Sequence, residues 1–296
     1  MFTSTGRRCV KKLGNSILRA RLRAMASSGS AKVVRRMAPL SGRNATDRAP
    51  KVKGVIFDMD GTLCLPQNYM FKEMRAALDI PKSTDILEHI LSLSEEPDTE
   101  ANNNSSPRSR AQDAIKDIER QAMSRQQPQP GLNELITYLA RKDLRIALCT
   151  RNFELPVKHL LDNFVSDEGR SHFHPLITRE AEGIMPKPSP EGLWACVHAW
   201  ETHIENAVEQ REALQDYLKS MSEEDKIKSC KGVIMVGDSI DDIEAGARAG
   251  AATVLLVNNE NEHLLQEKKW PKKVDLSISQ LDELIHVLEN GFQARD

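Results

Sequence analysis

KGVIFDMDGTLC, residues 53–64, contains the first predicted strand of the chain together with its first reactive groups. The GVIF run is apolar and partly β-branched, which is typical of a strand buried on both faces of a sheet. Asp58 and Asp60 follow where such a strand would reach the surface. Gly61 permits a tight turn behind them, and Thr62 adds a hydroxyl. Two adjacent carboxylates repel each other, so this pattern indicates a site that also binds a cation.

The rest of the chain predicts an α/β protein with a doubly wound parallel sheet. Strand-like and helical segments alternate after residue 127, as they do in a parallel sheet between two layers of helices. Residues 66–126 have helical periodicity and no strand-like run, so they predict a small α-helical cap domain inserted after the first strand. The α/β core is assigned to 51–65 and 127–296, with 201–230 as a candidate second helical insertion.

Charge is distributed unevenly along the chain. The formal net charge is −2, but residues 1–50 contain 12 lysines and arginines and a single acid, Asp47. The remaining residues contain 29 basic and 42 acidic side chains. This acidic body argues against a nucleic-acid partner, because a phosphate backbone requires clustered positive charge. Apolar runs such as GVIMVG fall far short of the ~20 residues that a membrane span requires, so none is expected.

The basic segment 1–50 has the composition of a mitochondrial transit peptide. It is rich in Arg, Ser and Ala, nearly free of acid, and lacks the apolar core of a secretory signal. We therefore expect a mitochondrial protein in which this segment stays outside the fold. The alternative is a cytoplasmic protein in which 1–50 is a disordered basic tail, or in which Met25 is the working start.

Polar residues follow several predicted core strands, and in an open parallel sheet such strand ends form the edge where ligands bind. ALCTRN ends a strand at Thr150, KPSPE holds Lys187 between two prolines, and VGDSIDD places further acids behind another strand. The candidate metal ligands are Asp58, Asp60, Asp238 and Asp242. The candidates for phosphate and substrate binding are Gly61, Thr62, Thr150, Arg151, Asn152 and Lys187.

Charge balance predicts a hard divalent cation among these residues. Two like charges ~4 Å apart cost roughly 4 kcal/mol at an effective dielectric of 20, and four carboxylates form several such pairs. Lys187 alone cannot offset them all, whereas Mg²⁺ prefers oxygen ligands and keeps several waters. With the metal bound, the crevice can accept a phosphate dianion that bare carboxylates would repel.

The same residues supply the groups that phosphoryl transfer requires. The two-residue period of a strand places Asp58 and Asp60 on one face. One of them can attack phosphorus as a nucleophile, while the other serves as general acid and then as general base. Thr150 and Lys187 would hold phosphoryl oxygens by hydrogen bond and by charge.

DMDGT, CTRN, KPSPE and GDSIDD, in this order, closely resemble the four motifs of the haloacid-dehalogenase-like hydrolase superfamily. The resemblance covers most of residues 52–290, and the helical block resembles that family's cap domain. It implies that Asp58 becomes phosphorylated and that Asp60 is the acid/base, with its backbone carbonyl on Mg²⁺. Asp60 also resembles the phosphatase branch, because true dehalogenases of the family lack it.

The resemblance assigns the remaining motif residues as well. Thr150 corresponds to the family's Ser/Thr motif and Lys187 to its lysine motif. Asp238 would be a direct metal ligand. Asp242 would act through water or by steadying Lys187, and Asp241 is a weaker candidate for the same task.

The leading hypothesis is a Mg²⁺-dependent phosphatase acting on a small phosphorylated metabolite, with the cap excluding water and bulky substrates. One alternative is a phosphomutase of the same superfamily. Another, of a different class, is a phospho-acceptor signalling or scaffold module without turnover, although Asp60 would hasten loss of the phosphoryl group. The sequence identifies neither the substrate nor the oligomeric state. Arg75, Arg108 and Arg110 are candidates for contact with a second anionic group, or are solvated.

Overall fold

The structure is a computed structural model that describes residues 34–40, 49–96, 105–202, 207–267 and 273–295. Strands β1 to β8 are Val34–Met37, Gly54–Phe57, Arg145–Cys149, Phe173–Ile177, Val233–Gly237, Ala252–Leu256, Leu276–Ile278 and Phe292–Arg295. Helices α1 to α11 are Asn68–Ala77, Ile86–Ser92, Pro107–Met123, Leu132–Arg141, Glu154–Phe164, Asp167–Arg170, Glu191–Glu201, Ala207–Ser220, Glu223–Ser229, Ile240–Ala249 and Glu283–Asn290. A 3₁₀ turn spans Glu262–Leu265.

Six parallel strands form the main sheet in the order β4-β3-β2-β5-β6-β7. The central strand β2 lies between β3 and β5, and Phe57 pairs with Leu148 on one side and Val236 on the other. The carboxyl ends of these three strands are therefore side by side. This register positions Asp58 close to the residues that end the two neighbouring strands.

Helices cover both faces of the sheet, so the predicted doubly wound α/β fold is confirmed. Along β2, Val55 and Phe57 belong to one hydrophobic cluster, whereas Ile56 belongs to a second cluster on the other face. The alternation follows from the two-residue period of a strand. Helices α4 and α5 contribute to the first cluster and α7 to the second. Because both faces are buried at the centre of the sheet, β2 and β5 are apolar throughout, as predicted for β2.

The segment between β2 and β3 contains the three helices α1–α3, which we call the helical insertion. These helices have a hydrophobic cluster of their own, separate from the clusters of the sheet. Asp85 caps the N-terminus of α2, and its carboxylate accepts hydrogen bonds from the backbone N–H groups of Leu87 and Glu88. Residues 97–104, between α2 and α3, lie outside the described residues.

The N-terminal boundary predicted at residue 50 is wrong for residues 34–40. Strand β1 pairs with β8 in a two-stranded sheet, and Met37 is fully buried in the first hydrophobic cluster. The backbone N–H of Leu40 donates to the carbonyl of Leu288 at 3.0 Å. Residues 34–40 were assigned to the basic segment because the arginine-rich composition of 1–50 outweighed the few apolar residues among them. Residues 1–33 and 41–48 lie outside the described residues, so the transit-peptide prediction is not tested.

Two further regions complete the α/β core. The candidate second insertion, 201–230, contains α8 and α9. The buried Tyr217 of α8 stacks on His198 of α7, with ring centroids 4.4 Å apart. At one edge of the sheet, the short strand β7 precedes the last helix, α11. No helix in the described ranges combines the length and apolarity that crossing a bilayer would need.

Candidate active site

Lys187 lies at the centre of the carboxylates and is almost fully buried. Its Nζ donates to Asp58 Oδ1 at 2.6 Å and to Asp242 Oδ1 at 2.5 Å, and its side chain is 2% exposed. Asp58 directly follows β2, and its backbone N–H donates to the carbonyl of Val236 on β5 at 3.0 Å. The sheet register and this lysine together fix the position of Asp58.

Burial and charge act in opposite directions on this group. Burial raises the pKa of Asp58 to about 7, although Lys187 lowers it, while Asp242 and Asp60 raise it further. Burial lowers the pKa of Lys187, but the carboxylates of Asp242 and Asp58 raise it more, so the net direction is upward. Lys187 is therefore firmly cationic and supports the ionised form of Asp58.

Helix α10 presents Asp242 through its N-terminal cap. Ser239 caps the helix, and Asp242 Oδ2 accepts hydrogen bonds from the Ser239 N–H at 3.0 Å and its Oγ at 2.6 Å. This capping box leaves Oδ1 for Lys187. Of the two roles that the sequence left open for Asp242, the direct contact matches the steadying of Lys187.

Three carboxylates converge closely enough to share a cation. Oxygen atoms of Asp58, Asp238 and Asp242 lie within 4.8 Å of one another. Burial, with Asp242 and Asp58 nearby, raises the pKa of Asp238 well above its ordinary value. Asp238 has only one side-chain donor on its carboxylate among the described residues, Asn258 Nδ2 at 3.2 Å. This all-oxygen set of mutually repelling carboxylates fits a hard divalent cation.

Asp60 lies outside that group of carboxylates but lines the same cavity. Strand β2 ends at Phe57, so Asp60 is in the following turn rather than on the face of the strand. Its Oδ2 accepts from Asn152 Nδ2 at 2.6 Å, and its Oδ1 accepts from Cys64 Sγ at 3.3 Å. Burial raises the pKa of Asp60, although both hydrogen bonds lower it. A raised pKa favours a carboxyl that can donate a proton.

Gly61 and Thr62 lie behind the cavity and are not among its lining residues. Gly61 has a φ of +80°, and a Cβ there would lie 2.0 Å from Asp238 Oδ2, so only glycine fits. Thr62 is fully buried, and its Oγ1 has no hydrogen-bond partner among the described residues. Thr62 was predicted to bind phosphate through its hydroxyl, but in this position the side chain does not line the cavity.

The CTRN motif contributes three side chains with different partners. Thr150 is buried and lines the cavity, as predicted for a phosphate-binding residue. Arg151 forms ion pairs with Asp85 of the helical insertion, at 2.5 Å, and with Asp241 of α10. Asn152, which is also predicted to bind substrate, lines the cavity and donates to Asp60. Asp241 therefore pairs with an arginine and is not part of the carboxylate group.

The cavity has a volume of about 240 Å³ and lies between the strand ends and the helical insertion. The insertion side includes Phe71, Met74, Arg75 and Glu119. Glu119 is not among the residues predicted from the sequence. It is 2% exposed and accepts two 2.6 Å hydrogen bonds from Arg179, a residue that follows β4. A signal was present, because Glu119 interrupts the apolar stripe of α3 at helical spacing.

Comparison with known proteins defines the family. A family model for haloacid dehalogenase-like hydrolases matches residues 52–250. The chain is 37% identical over 240 residues to the uncharacterized hydrolase YOR131C of Saccharomyces cerevisiae, covering 81% of this chain and 92% of that protein. It is 28% identical over 258 residues to the haloacid dehalogenase-like hydrolase domain-containing protein At2g33255 of Arabidopsis thaliana, covering 83% and 88% respectively. The chain belongs to the haloacid dehalogenase-like hydrolases and is an enzyme of that family.

Solved structures share the fold at low sequence identity. The crystal structure of a predicted phosphoglycolate phosphatase from Haemophilus somnus 129pt has a TM-score of 0.51 at 16% identity, over 80% of this chain and 97% of that one. CbbY from Rhodobacter sphaeroides in complex with phosphate has a TM-score of 0.50 at 17% identity, over 79% and 96%. At this identity the two structures support the fold, and the four motifs carry the argument about the site.

Proposed function

We propose that this hydrolase is a Mg²⁺-dependent phosphatase that hydrolyses a small phosphorylated metabolite through a phosphorylated Asp58. The observation that carries the proposal is the position of Asp58. It contacts the buried Lys187, shares a cation-sized space with Asp238 and Asp242, and lines one cavity with Asp60.

The carboxylates of Asp58, Asp238 and Asp242 would hold the metal. Their donor set contains only oxygen, and their mutual repulsion requires more positive charge than Lys187 supplies. Bound there, Mg²⁺ supplies charge that attracts a phosphate dianion and stabilises its oxygens during transfer. Thr150 and Lys187 would bind the other phosphoryl oxygens.

In the first step a carboxylate oxygen of Asp58 attacks phosphorus and forms an acyl phosphate. The bond between phosphorus and the ester oxygen breaks, and Asp60 gives its proton to that leaving oxygen. The raised pKa of Asp60 suits this role, because burial favours the protonated form that can give a proton to the leaving group. Asn152 and Cys64 hold Asp60 in place.

In the second step the same residue acts in reverse. Ionised Asp60 takes a proton from a water molecule as that water attacks the phosphorus of the acyl phosphate. The bond between phosphorus and Asp58 breaks, which releases inorganic phosphate and restores the carboxylate. The enzyme returns to its starting protonation state.

The size of the cavity supports a small substrate. Its volume of about 240 Å³ is below the ~300–1,000 Å³ that is typical of pockets for drug-sized ligands. The helical insertion forms the side opposite the strand ends, as a cap would, so macromolecules have little access. The names of the phosphoglycolate phosphatase and the phosphate complex of CbbY are in keeping with a phosphate ester.

The test uses the full chain and p-nitrophenyl phosphate. We expect turnover with Mg²⁺, loss of turnover with EDTA, and restoration by excess Mg²⁺. Asp58→Asn should abolish activity, whereas Asp162→Asn, which changes an exposed aspartate on α5, should leave it intact. Turnover that survives chelation or Asp58→Asn would refute the proposal. With a sugar phosphate as substrate, transfer of the phosphate to another hydroxyl of a sugar rather than to water would indicate a phosphomutase instead.

We also propose that the basic segment ahead of Val34 directs the enzyme to mitochondria. Support comes from the excess of arginine and near absence of acid in 1–50. Residues 1–33 fused to a fluorescent protein should co-localise with mitochondria. A diffuse cytoplasmic signal would contradict this proposal without affecting the proposed chemistry.

A further inference from the structure

Arg75 differs from the other cations that line the cavity. Those cations are Arg75, Arg151, Arg179 and Lys187, and each of the last three has a carboxylate partner. Among the described residues, Arg75 has none. Its Nη1 donates to the carbonyl of Phe71 on its own helix at 3.1 Å, and its Nε is buried without a hydrogen-bond partner in the described part of the chain.

The two acids of the helical insertion that line the cavity do not neutralise Arg75. Asp85 accepts hydrogen bonds from two backbone N–H groups of α2 and pairs with Arg151. Glu119 forms its two-bond ion pair with Arg179. On the insertion side of the cavity, Arg75 therefore remains as the uncompensated positive charge among the described lining residues.

The surroundings of Arg75 strengthen its attraction for an anion. Phe71 and Met74, from the same helix, line the cavity beside it and are apolar. A guanidinium next to apolar groups interacts with an anion more strongly than one surrounded by water. Guanidinium groups also bind carboxylates and phosphates with paired hydrogen bonds.

We propose that Arg75 determines substrate specificity by binding a second anionic group, at the end of the substrate remote from the reacting phosphate. The inference rests on the proposed function, which places the reacting phosphate at Asp58. The substrate would therefore carry a carboxylate or a second phosphate on a short carbon chain. Both groups offer the same acceptor oxygens to Arg75, so the experiment must distinguish them.

The other two arginines considered from the sequence do not reach this cavity. Arg108 pairs with Glu95 and donates to the carbonyl of Leu93 at 3.1 Å, and Arg110 donates to the carbonyl of Ser105 at 2.7 Å. Neither arginine lines the cavity. Of the three arginines considered for contact with a second anionic group, Arg75 is thus the one that lines the cavity.

The test compares three synthetic substrates that differ only in the remote group. They are 3-hydroxypropyl phosphate, with a neutral end, 3-phosphonooxypropanoate, with a carboxylate, and propane-1,3-diyl bisphosphate. We expect the wild-type kcat/KM to be at least about tenfold higher for one or both anionic compounds than for the neutral one. Arg75→Gln should reduce that ratio to near one, and Arg75→Lys should retain part of it. Lys72→Gln, which removes an exposed charge from the same helix, should keep the wild-type ratio.

A wild-type ratio near one, or an unchanged ratio in Arg75→Gln, would overturn the inference while leaving the phosphatase proposal intact. If no compound and no p-nitrophenyl phosphate is hydrolysed, the proposed function fails, and binding then tests Arg75 separately. Isothermal titration of the Asp58→Asn protein with the three compounds should show tighter binding of an anionic compound than of the neutral one. The double variant Asp58→Asn with Arg75→Gln should bind all three with similar affinity. Equal affinity for all three would overturn the inference by that route.

Discussion

Arg179 and Glu119 form a buried two-bond ion pair between the edge of the sheet and the helical insertion. Both Nη to Oε distances are 2.6 Å, and the side chains are 12% and 2% exposed. Removal of one member leaves a buried charge without its partner. We therefore expect Arg179→Met to lower the free energy of unfolding by about 3–5 kcal/mol, as measured by urea denaturation.

Two controls accompany that measurement. Lys116→Met removes a more exposed ion pair to Glu180, between the same two regions, and should cost at most ~1 kcal/mol. The double variant Glu119→Leu with Arg179→Met should recover most of the loss, because neither charge remains. Equal losses for Arg179→Met and Lys116→Met would contradict the account of this pair.

The same pair predicts a pH dependence. Burial, opposed by Arg179 and reinforced by Asp60 and Glu180, raises the pKa of Glu119 from 4.5 to about 7. The folded state therefore binds more protons than the unfolded state across this window, so the contribution of Glu119 to stability falls as pH rises from about 4.5 to about 7. Without Arg179 the pKa rises further. The loss of unfolding free energy caused by Arg179→Met should thus be smaller at pH 5 than at pH 8. Equal losses at the two pH values would contradict this role of Glu119.

Asp60 should matter most for substrates with poor leaving groups. Asp60→Asn removes the proton donor of the first step, so kcat/KM, which reports that step and not the later hydrolysis, should fall by about 10²–10⁴ for an alkyl phosphate. The fall should be smaller for p-nitrophenyl phosphate, because nitrophenolate leaves without needing a full proton. Steady-state kinetics on both substrates checks this prediction. Equal losses on both would remove Asp60 from the role of general acid.

Asn152 should act on catalysis through Asp60. Its Nδ2 donates to Asp60 Oδ2 at 2.6 Å, so Asn152→Ala should lower kcat about tenfold and change KM little. If Asn152 bound phosphate directly, as the sequence had indicated, KM would rise instead. Asn152→Asp would place a second carboxylate beside Asp60 and should be worse than Asn152→Ala. A KM effect with unchanged kcat would support the original assignment.

Met37 should contribute to stability although it lies in the basic N-terminal segment. Its side chain is fully buried in the main hydrophobic cluster, so Met37→Ala should cost about 2–5 kcal/mol of unfolding free energy. Met185→Ala, at a methionine that is 56% exposed, should change it by less than ~0.5 kcal/mol. Chemical denaturation of the two full-length variants checks the difference. Equal stabilities would show that residues 34–40 do not pack as described.

The fold and the strand-end residues were predictable because their signals are local. A strand buried on both faces is apolar throughout, and Asp58 or Asp238 directly after such a strand stands out. Parallel topology then brings those residues to one edge without any knowledge of side-chain contacts. Strand β7 was not predictable from such a signal, because its three residues are too few to carry a pattern.

The partners of the site residues were not predictable, because they are distant in the sequence. Nothing near Asn152 or Arg151 indicates that one bonds Asp60 and the other bridges Asp85 to Asp241. Such pairings depend on how the helical insertion packs over the sheet. Local patterns report the residue types at a site, and packing decides which of them contact the substrate.

The most direct test of the account is to trap the phosphorylated aspartate. The full-length protein is quenched in acid during turnover with Mg²⁺, reduced with borohydride and digested for mass spectrometry. Borohydride converts an aspartyl phosphate to homoserine, so we predict homoserine at position 58, absent without substrate or after EDTA treatment. Turnover with no modification at position 58, or with the modification at another residue, would show that Asp58 does not carry the phosphoryl group.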